Sequence, residues 1–354
     1  MISYLPFFSL IAAYFYAVAA TAISRTGSNF WYFSFLFYLV VFSGFRYGVG
    51  TDYWTYVEFI DDIRKGSETY MEPGFELIAF LLDSPRLVFL VSSLLTIISF
   101  GLYFYFFSPY VGISVGLFFL LPIFFVASFN GVRQFIAVGF FLVALKAISN
   151  RNILAYIVLL IMGALFHKSA LLLFPLYYVL SKKLSVVVLG GALLVAVLFV
   201  ELLPLLTSFL GFSDKYFKGQ FAVQSINYKS LVVLPIYIAA LFAYNKMDSA
   251  PEVKNIFVNM MGISSILVLM PLLTDIHSSI VLRFSTYFTP ALLVIVPMLI
   301  KVVPGNFARA AMIVLLFIAS LYYYLTVIVL GGEYYSLIPY CTDFLAGSEA
   351  KCFQ

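Results

Sequence analysis

Five short stretches hold most of the residues that could do chemistry. "FRYGVGTDYWTY" (45–56) sets Arg46 and Asp52 on either side of two glycines, with Tyr47, Tyr53 and Trp54 alongside. "YMEPGFE" (70–76) brings Glu72, and "FNGVRQFIAVG" (129–139) brings Arg133 and Gln134. "LFHKSALLLFPLYY" (165–178) places His167 and Lys168 between two apolar runs. "LTDIHSSIVLRFSTYF" (273–288) carries Asp275, His277 and Arg283. The arginines and Lys168 suit a phosphate or diphosphate, which guanidinium groups bind with forked hydrogen bonds. Asp52, Glu72 and His167 are side chains that can take a proton from a hydroxyl. The aromatic faces, with Gln134, Asp275 and His277, suit a sugar.

Each stretch also has a plainer reading. A charge at the edge of hydrocarbon is costly, so it pairs, snorkels to lipid headgroups or serves a function. Gly48 and Gly50 loosen the backbone after Arg46, but the GVG lacks the strand–helix setting of a nucleotide loop. Arg133 enters the first turn of a helix, where the dipole favours anions, so its position does not serve the helix. An anionic ligand there would meet both Arg133 and free backbone N–H groups. His167 is either a hydrogen-bonded histidine inside a bundle or a ligand group, and Lys168 either snorkels or helps it. Glu72 precedes Pro73, which suits a first helical position, so it is either a helix-start acid or a site carboxylate. Asp275 either neutralises Arg283 or faces a ligand.

The scaffold that must position these residues is apolar. The chain has 354 residues, 64% hydrophobic and only 10% charged, with mean hydropathy +1.06. A soluble fold carries about a quarter charged residues. Apolar runs recur at 3–23, 30–45, 86–107, 111–128, 132–149, 153–167, 169–181, 184–205, 230–245, 255–273, 284–300 and 310–330. They predict an all-α, polytopic transmembrane helical bundle of about 12 (10–12) spans. The first run lacks a basic leader and a cleavage site, and reads as a retained span. Residues 74–82 are too short to span and predict a re-entrant or interfacial helix. The whole chain, 1–354, reads as one integral membrane domain, with outer loops 46–73 and 211–229 and an outer tail 331–354.

With the N-terminus outside, the short inner connections hold Arg25, Lys146, Arg151, Lys182, Lys183, Lys246, Lys254, Lys301 and Arg309. Basic residues are then densest inside, as the positive-inside rule asks. The same orientation puts Arg46, Asp52, Glu72, Arg133, His167, Lys168, Asp275, His277 and Arg283 at one outer face. The two cysteines, Cys341 and Cys352, share the outer tail, where an oxidising compartment would let them pair.

Some chemistry is disfavoured. There is no D-x-D for a metal-held nucleotide sugar, no Walker A loop, no HExxH and no G-x-S-x-G elbow. Two histidines and two cysteines form no metal-ligand spacing. No metal, no cofactor and no nucleic-acid partner are expected.

The patches "FRYGVGTDYWTY", "EPGFELI", "FNGVRQFIAVGFFLVALKAISNRNILAYIVLLIMGALFHKSALLLFPL" and "VLRFSTYF", in this order and over roughly residues 30–290, carry a resemblance. The chain resembles the EpsG family of bacterial polysaccharide polymerases, and through it the Wzy-type O-antigen polymerases. The resemblance implies a metal-independent membrane glycosyltransferase, related to the GT-C-like enzymes, in the bacterial inner membrane. Its substrates would be undecaprenyl-diphosphate-linked glycans, with a chain-length regulator as a further partner. A growing glycan would be moved onto the distal sugar of the next lipid-linked repeat unit at the outer face. On this reading Arg46, Arg133 and Arg283, with Lys168, form a diphosphate clamp. Asp52 is the first choice of base, His167 the second and Glu72 the third. A ligase with another acceptor, a flippase of lipid-linked glycans and a sugar acyltransferase are the alternatives. The polar groups cluster at one end of the spans, whereas a flippase should carry them through the membrane.

Overall fold

The computed structural model describes residues 4–23, 28–67, 69, 71–82, 84–185, 187–195, 232–273, 278–332, 336–342 and 351–352. These residues are largely helical, with one antiparallel pair of two-residue strands, β1 Cys341–Thr342 and β2 Lys351–Cys352. Among them, five helical stretches have the length and apolar character to cross a membrane: Pro85–Phe107, Val132–Ser149, Pro251–Leu273, Arg283–Val302 and Asn306–Gly331. Shorter apolar helices accompany them at Leu5–Val18, Phe30–Gly44, Val111–Leu120, Ile153–Ala164 and Val233–Lys246. The polytopic helical class expected from composition is what the chain adopts. The chain divides into two compact units, 1–147 with 152–174 and 305–354, and 148–151 with 175–304.

The first unit holds α1 (Leu5–Ile23), α2 (Ser28–Gly44), α3 (Tyr53–Arg64), α4 (Pro73–Leu81), α5 (Pro85–Phe107), α6 (Val111–Leu120), most of α7 (Val132–Ser149), and α8 (Ile153–Ala164). Local chemistry sets the start of α5. Ser84 is its N-cap and accepts from Leu87 N–H at 3.4 Å, and Pro85 follows at the first turn. Small polar groups let α2 and α5 meet: Ser43 and Ser93 hydroxyls lie 2.9 Å apart, and Tyr32 donates to the Gly101 carbonyl at 2.7 Å. Bonds of this kind satisfy polar atoms that lipid would leave unpaired.

The helix α3 is amphipathic, and it lies within the stretch expected as an outer loop. Tyr53, Tyr56 and Ile60 face inward at i, i+3, i+7 spacing and pack with Met71, Phe75 and Ala79 of the α4 segment. Val88 and Phe89 of α5, Val132 and Ile136 of α7, and Phe166 complete this cluster. Full burial of Ile60 alone is worth roughly 1.5–3 kcal/mol against water. The short helix expected over 74–82 is α4.

Two expected spans are broken by proline. The run 111–128 is not one helix: α6 stops at Leu120, Leu121 is extended, and a 3-10 turn follows at Ala127–Phe129. Pro122 lacks an N–H and drives the preceding residue out of helical geometry. The run 169–181 divides into a 3-10 helix, Lys168–Leu173, and α9 (Leu176–Leu180), on either side of Phe174–Pro175.

The second unit contains α9, α10 (187–195), α11 (Val233–Ala243), α12 (Pro251–Leu273), α13 (Ser278–Phe288) and α14 (Leu292–Val302). Asn259 of α12 donates to the Lys182 carbonyl at 2.6 Å and the Leu180 carbonyl at 3.1 Å, closing the open end of α9. The last long helix, α15 (Asn306–Gly331), belongs to the first unit. The expected loop 211–229 lies outside the described residues.

Candidate functional site

Glu72 sits in extended geometry just before α4, with Pro73 opening the helix. Its carboxylate does not cap its own helix. It reaches across to three other groups. Arg133 Nη1 donates to Oε2 in an ion pair. The Lys168 backbone N–H donates to Oε1 at 3.4 Å, and His167 Nδ1 lies 3.3 Å from the same oxygen. That last contact has ion-pair distance without hydrogen-bond alignment. Glu72 is only 5% exposed. One buried carboxylate thus ties the starts of α4 and α7 to the His167–Lys168 junction, where its charge also suits the N-terminal end of the 3-10 helix.

The close approach needs Gly74. Its N–H donates to the Leu165 carbonyl at 2.7 Å, and a Cβ at this position would lie 2.8 Å from that oxygen. The sequence "EPG" therefore places the acid, starts the helix and admits the neighbouring backbone.

Burial pushes the Glu72 carboxyl up, but the His167 contact and the Arg133 charge outweigh it and hold its pKa at about 2. A carboxylate this acidic is a poor general base. Glu72 holds its neighbours through these contacts, and its role as third choice of base stays a proposal.

Arg133 is held on its other side by α3. Its guanidinium lies over the Tyr56 ring, 6.0 Å from the centroid. Its buried Nε has no hydrogen-bond partner among the described residues. Arg133 is thus oriented by Glu72 and Tyr56, with one buried donor unpaired among the described residues. Burial pushes the Tyr56 phenol up, Arg133 pulls it down and Asp52 pushes it up further. Asp52 and Arg133 therefore both act on Tyr56. In the sequence Tyr56 reads only as one more aromatic face of 45–56; its i+3 spacing from Tyr53 marks the inner stripe of α3, a helix within the expected loop.

Arg46 is different. It is 2% exposed. Nε donates to the Val49 carbonyl at 3.2 Å, Nη1 to the Ser43 carbonyl at 2.6 Å, and Nη2 to the Phe129 carbonyl at 3.0 Å. The guanidinium also lies 4.7 Å from the Phe89 ring centroid and 4.9 Å from that of Phe129. Its placement in an open clamp is corrected: the backbone of the fold already occupies its donors. Arg46 and Ser43, Ser92, Ser93, Thr96 and Ser128 line a cavity of about 10 Å³, room for the centre of one water.

The chain end straps this turn. The Tyr47 N–H donates to the Cys341 carbonyl at 2.9 Å and the Gly50 N–H to the Ser336 carbonyl at 2.8 Å. Gly50 has φ +104°, and a Cβ there would meet Asn130 Oδ1 at 2.7 Å. Tyr340 stacks on Phe42, centroids 4.4 Å apart, and its hydroxyl donates to the Phe42 carbonyl. Cys341 is disulfide-bonded, and β1–β2 register sets Cys341 opposite Cys352, the chain's other cysteine.

The remaining candidates divide by exposure. Asp52 is exposed, accepts from Thr51 Oγ1 at 3.2 Å and makes no capping bond. Trp54 is 52% exposed, Tyr47 and Gln134 are half-buried, and the Lys168 side chain is exposed. Tyr53 is 3% exposed and stacked on Phe89 at 4.8 Å, which corrects its assignment as a sugar contact. Arg283, exposed near the middle of α13, belongs to the second unit. Asp275 and His277 lie outside the described residues. Arg133, Glu72, His167 and Lys168 are brought together; Asp52 stands just before α3, whose Tyr56 meets Arg133.

A family model described as the EpsG family matches residues 3–342. No curated protein and no solved structure matches the chain.

Proposed function

The chain belongs to the EpsG family, and on that premise we propose that it polymerises a polysaccharide by transferring an undecaprenyl-diphosphate-linked glycan onto the next lipid-linked repeat unit. The observation that carries the reading is Arg133, oriented by Glu72 and Tyr56 beside His167, its side chain still partly exposed. In the reaction the bond from the anomeric carbon to the diphosphate oxygen breaks, and its electron pair stays on that oxygen. The acceptor hydroxyl oxygen bonds to the anomeric carbon and gives up its proton.

Arg133 and Lys168 receive the developing charge of the diphosphate at low dielectric, where a preorganised donor is worth most. Exposed Asp52, at the start of the helix that carries Tyr56, takes the proton. His167 either takes it instead or binds the diphosphate. Glu72 holds Arg133 and His167 in place, and Arg46 holds the turn that leads to Asp52. Arg283 belongs to the second unit and remains a separate proposal for an anion contact there. Gln134, Asp275 and His277 remain proposed sugar contacts. Cationic side chains take the role a metal would have, so none is required.

The site is proposed to face the outside of a bacterial inner membrane. The disulfide at Cys341 supports this, because disulfides persist in oxidising compartments and Cys341 bonds directly to the turn that carries the site. The test is the purified protein in lipid vesicles with a lipid-linked repeat unit, scored for a ladder of oligomers. A single-step product with no ladder would favour a ligase. Movement of substrate across the bilayer without new glycosidic bonds would favour a flippase.

A further inference from the structure

The outer face of α3 combines two features that a lipid-facing helix would not share. Trp54 is half exposed, yet it lies at i, i+4 and i+7 from Glu58 and Asp61, on the acidic face of the helix. The apolar face, with Tyr53, Tyr56 and Ile60, is the one that is buried. An aromatic of the interfacial belt would share a stripe with other apolar groups, not with carboxylates.

The ring is held in a built setting. Tyr47 stands perpendicular to Trp54, at 90° with centroids 5.4 Å apart. Tyr53 meets Trp54 edge-on from the core and is itself stacked on Phe89. Gly48, at φ +65°, passes beside the indole, where even a Cβ would lie 3.5 Å from Cζ2. Gly48 itself puts no side chain over the indole there. Exposed Thr51 and Asp52 directly precede α3 in the chain, and the Thr51 hydroxyl donates to Asp52 Oδ1.

We infer that Tyr47 and Trp54 form a stacking corner for a sugar ring of the acceptor glycan, with Asp52 accepting from its hydroxyls, and that the corner selects neutral sugars over anionic ones. A pyranose offers C–H groups on its face and hydroxyls at its rim, which match an aromatic surface flanked by a carboxylate. The charges set the selectivity. Asp52 precedes Trp54 by two residues, and Glu58 lies one turn further along the same face of α3. The basic residues Arg64 and Lys65 are about 15 Å away along the helix axis. A uronate at this position would meet like charge. The inference rests on the polymerase reading for the word acceptor, but sugar binding is measured without turnover.

The chain has two tryptophans, so Trp31→Phe leaves Trp54 as the only indole reporter. The Trp31→Phe protein in lipid nanodiscs is titrated with maltotetraose, chitotetraose and tetragalacturonate while indole emission is read. At least one neutral probe shifts the emission, the uronate does not, and brominated lipid leaves it unquenched. No response to any of the oligosaccharides overturns the corner, and quenching by brominated lipid together with that silence returns Trp54 to the membrane belt. Equal response to the uronate overturns the charge selectivity. In the ladder assay, Trp54→Ala raises the acceptor KM about five- to tenfold with kcat little changed, and Trp54→Phe recovers most of it. An unchanged KM overturns the corner as an acceptor site. Sugar binding without any ladder from the wild type would leave the corner standing and remove the polymerase reading.

Discussion

His167 Nδ1 lies 3.3 Å from Glu72 Oε1, while the other oxygen of the same carboxylate holds Arg133. One acid therefore positions two groups from distant parts of the chain, Arg133 in α7 and His167 at the junction before the 3-10 helix. Glu72→Gln keeps the shape and removes the charge. The expected outcome is a fall in ladder formation of about 10²-fold, the scale of losing one preorganised electrostatic group. Glu72→Asp is expected to recover part of it. Rates at matched protein level are the measurement, and a wild-type rate for Glu72→Gln would remove the anchoring role.

The acid limb follows from the same carboxylate. Its folded pKa, about 2, lies below the unfolded value of 4.5. Stability from this ionised pair is complete above about pH 4.5 and is lost as pH falls through 2. Thermal unfolding in detergent between pH 6 and 2 is expected to show an acid-dependent fall that is weaker in Glu72→Gln. Identical slopes in the two proteins would count against the pair.

Arg46 and Arg133 are expected to part company. Arg133→Lys keeps the charge but loses the fork, so activity falls by roughly 2–4 kcal/mol in transition-state stabilisation while thermal stability is kept. In Arg46→Lys one ammonium cannot replace Nε, Nη1 and Nη2 on three separate carbonyls. Each carbonyl left unpaired costs about 1–3 kcal/mol, and the melting temperature drops. Paired melting and ladder assays separate the two. A stable, inactive Arg46→Lys would put Arg46 back in the clamp.

The strap is tested at Tyr340. Tyr340→Phe keeps the stack on Phe42 and loses the hydroxyl bond, whereas Tyr340→Ala loses both. Loss of a buried aromatic costs about 3–5 kcal/mol, and loss of one hydrogen bond about 1 kcal/mol. The order wild type, Tyr340→Phe, Tyr340→Ala is expected in stability. Faster amide exchange over residues 46–50 should follow the same order, and unchanged exchange there would disconnect the strap from the turn.

Orientation has a direct readout. A reporter active only outside the cytoplasm is expected to work when fused after Gly66 and to fail after Asn150 or Lys182. The reverse pattern would invert the face that carries Glu72, Arg133 and His167. Activity is also expected to survive excess EDTA; loss restored by Mg²⁺ would bring a metal into the site.

The sequence by itself determined the helical membrane class, the family and the short polar islands where Glu72, Arg133 and His167 lie. Apolar run length, glycine and proline punctuation and local motif order are properties of neighbouring residues, and they read directly. The same neighbourhood information could not separate Arg46 from Arg133, since each follows an apolar run near a glycine. Only the tertiary structure decided which one keeps an exposed part. The carbonyl of Phe129, 83 residues away, occupies Arg46. Arg133 instead meets a carboxylate 61 residues away that accepts from one nitrogen and leaves Nε unpaired. The strap from Tyr340 to Phe42 spans 298 residues. Such pairings depend on which distant backbone oxygens reach a given side chain, and no local spacing encodes that.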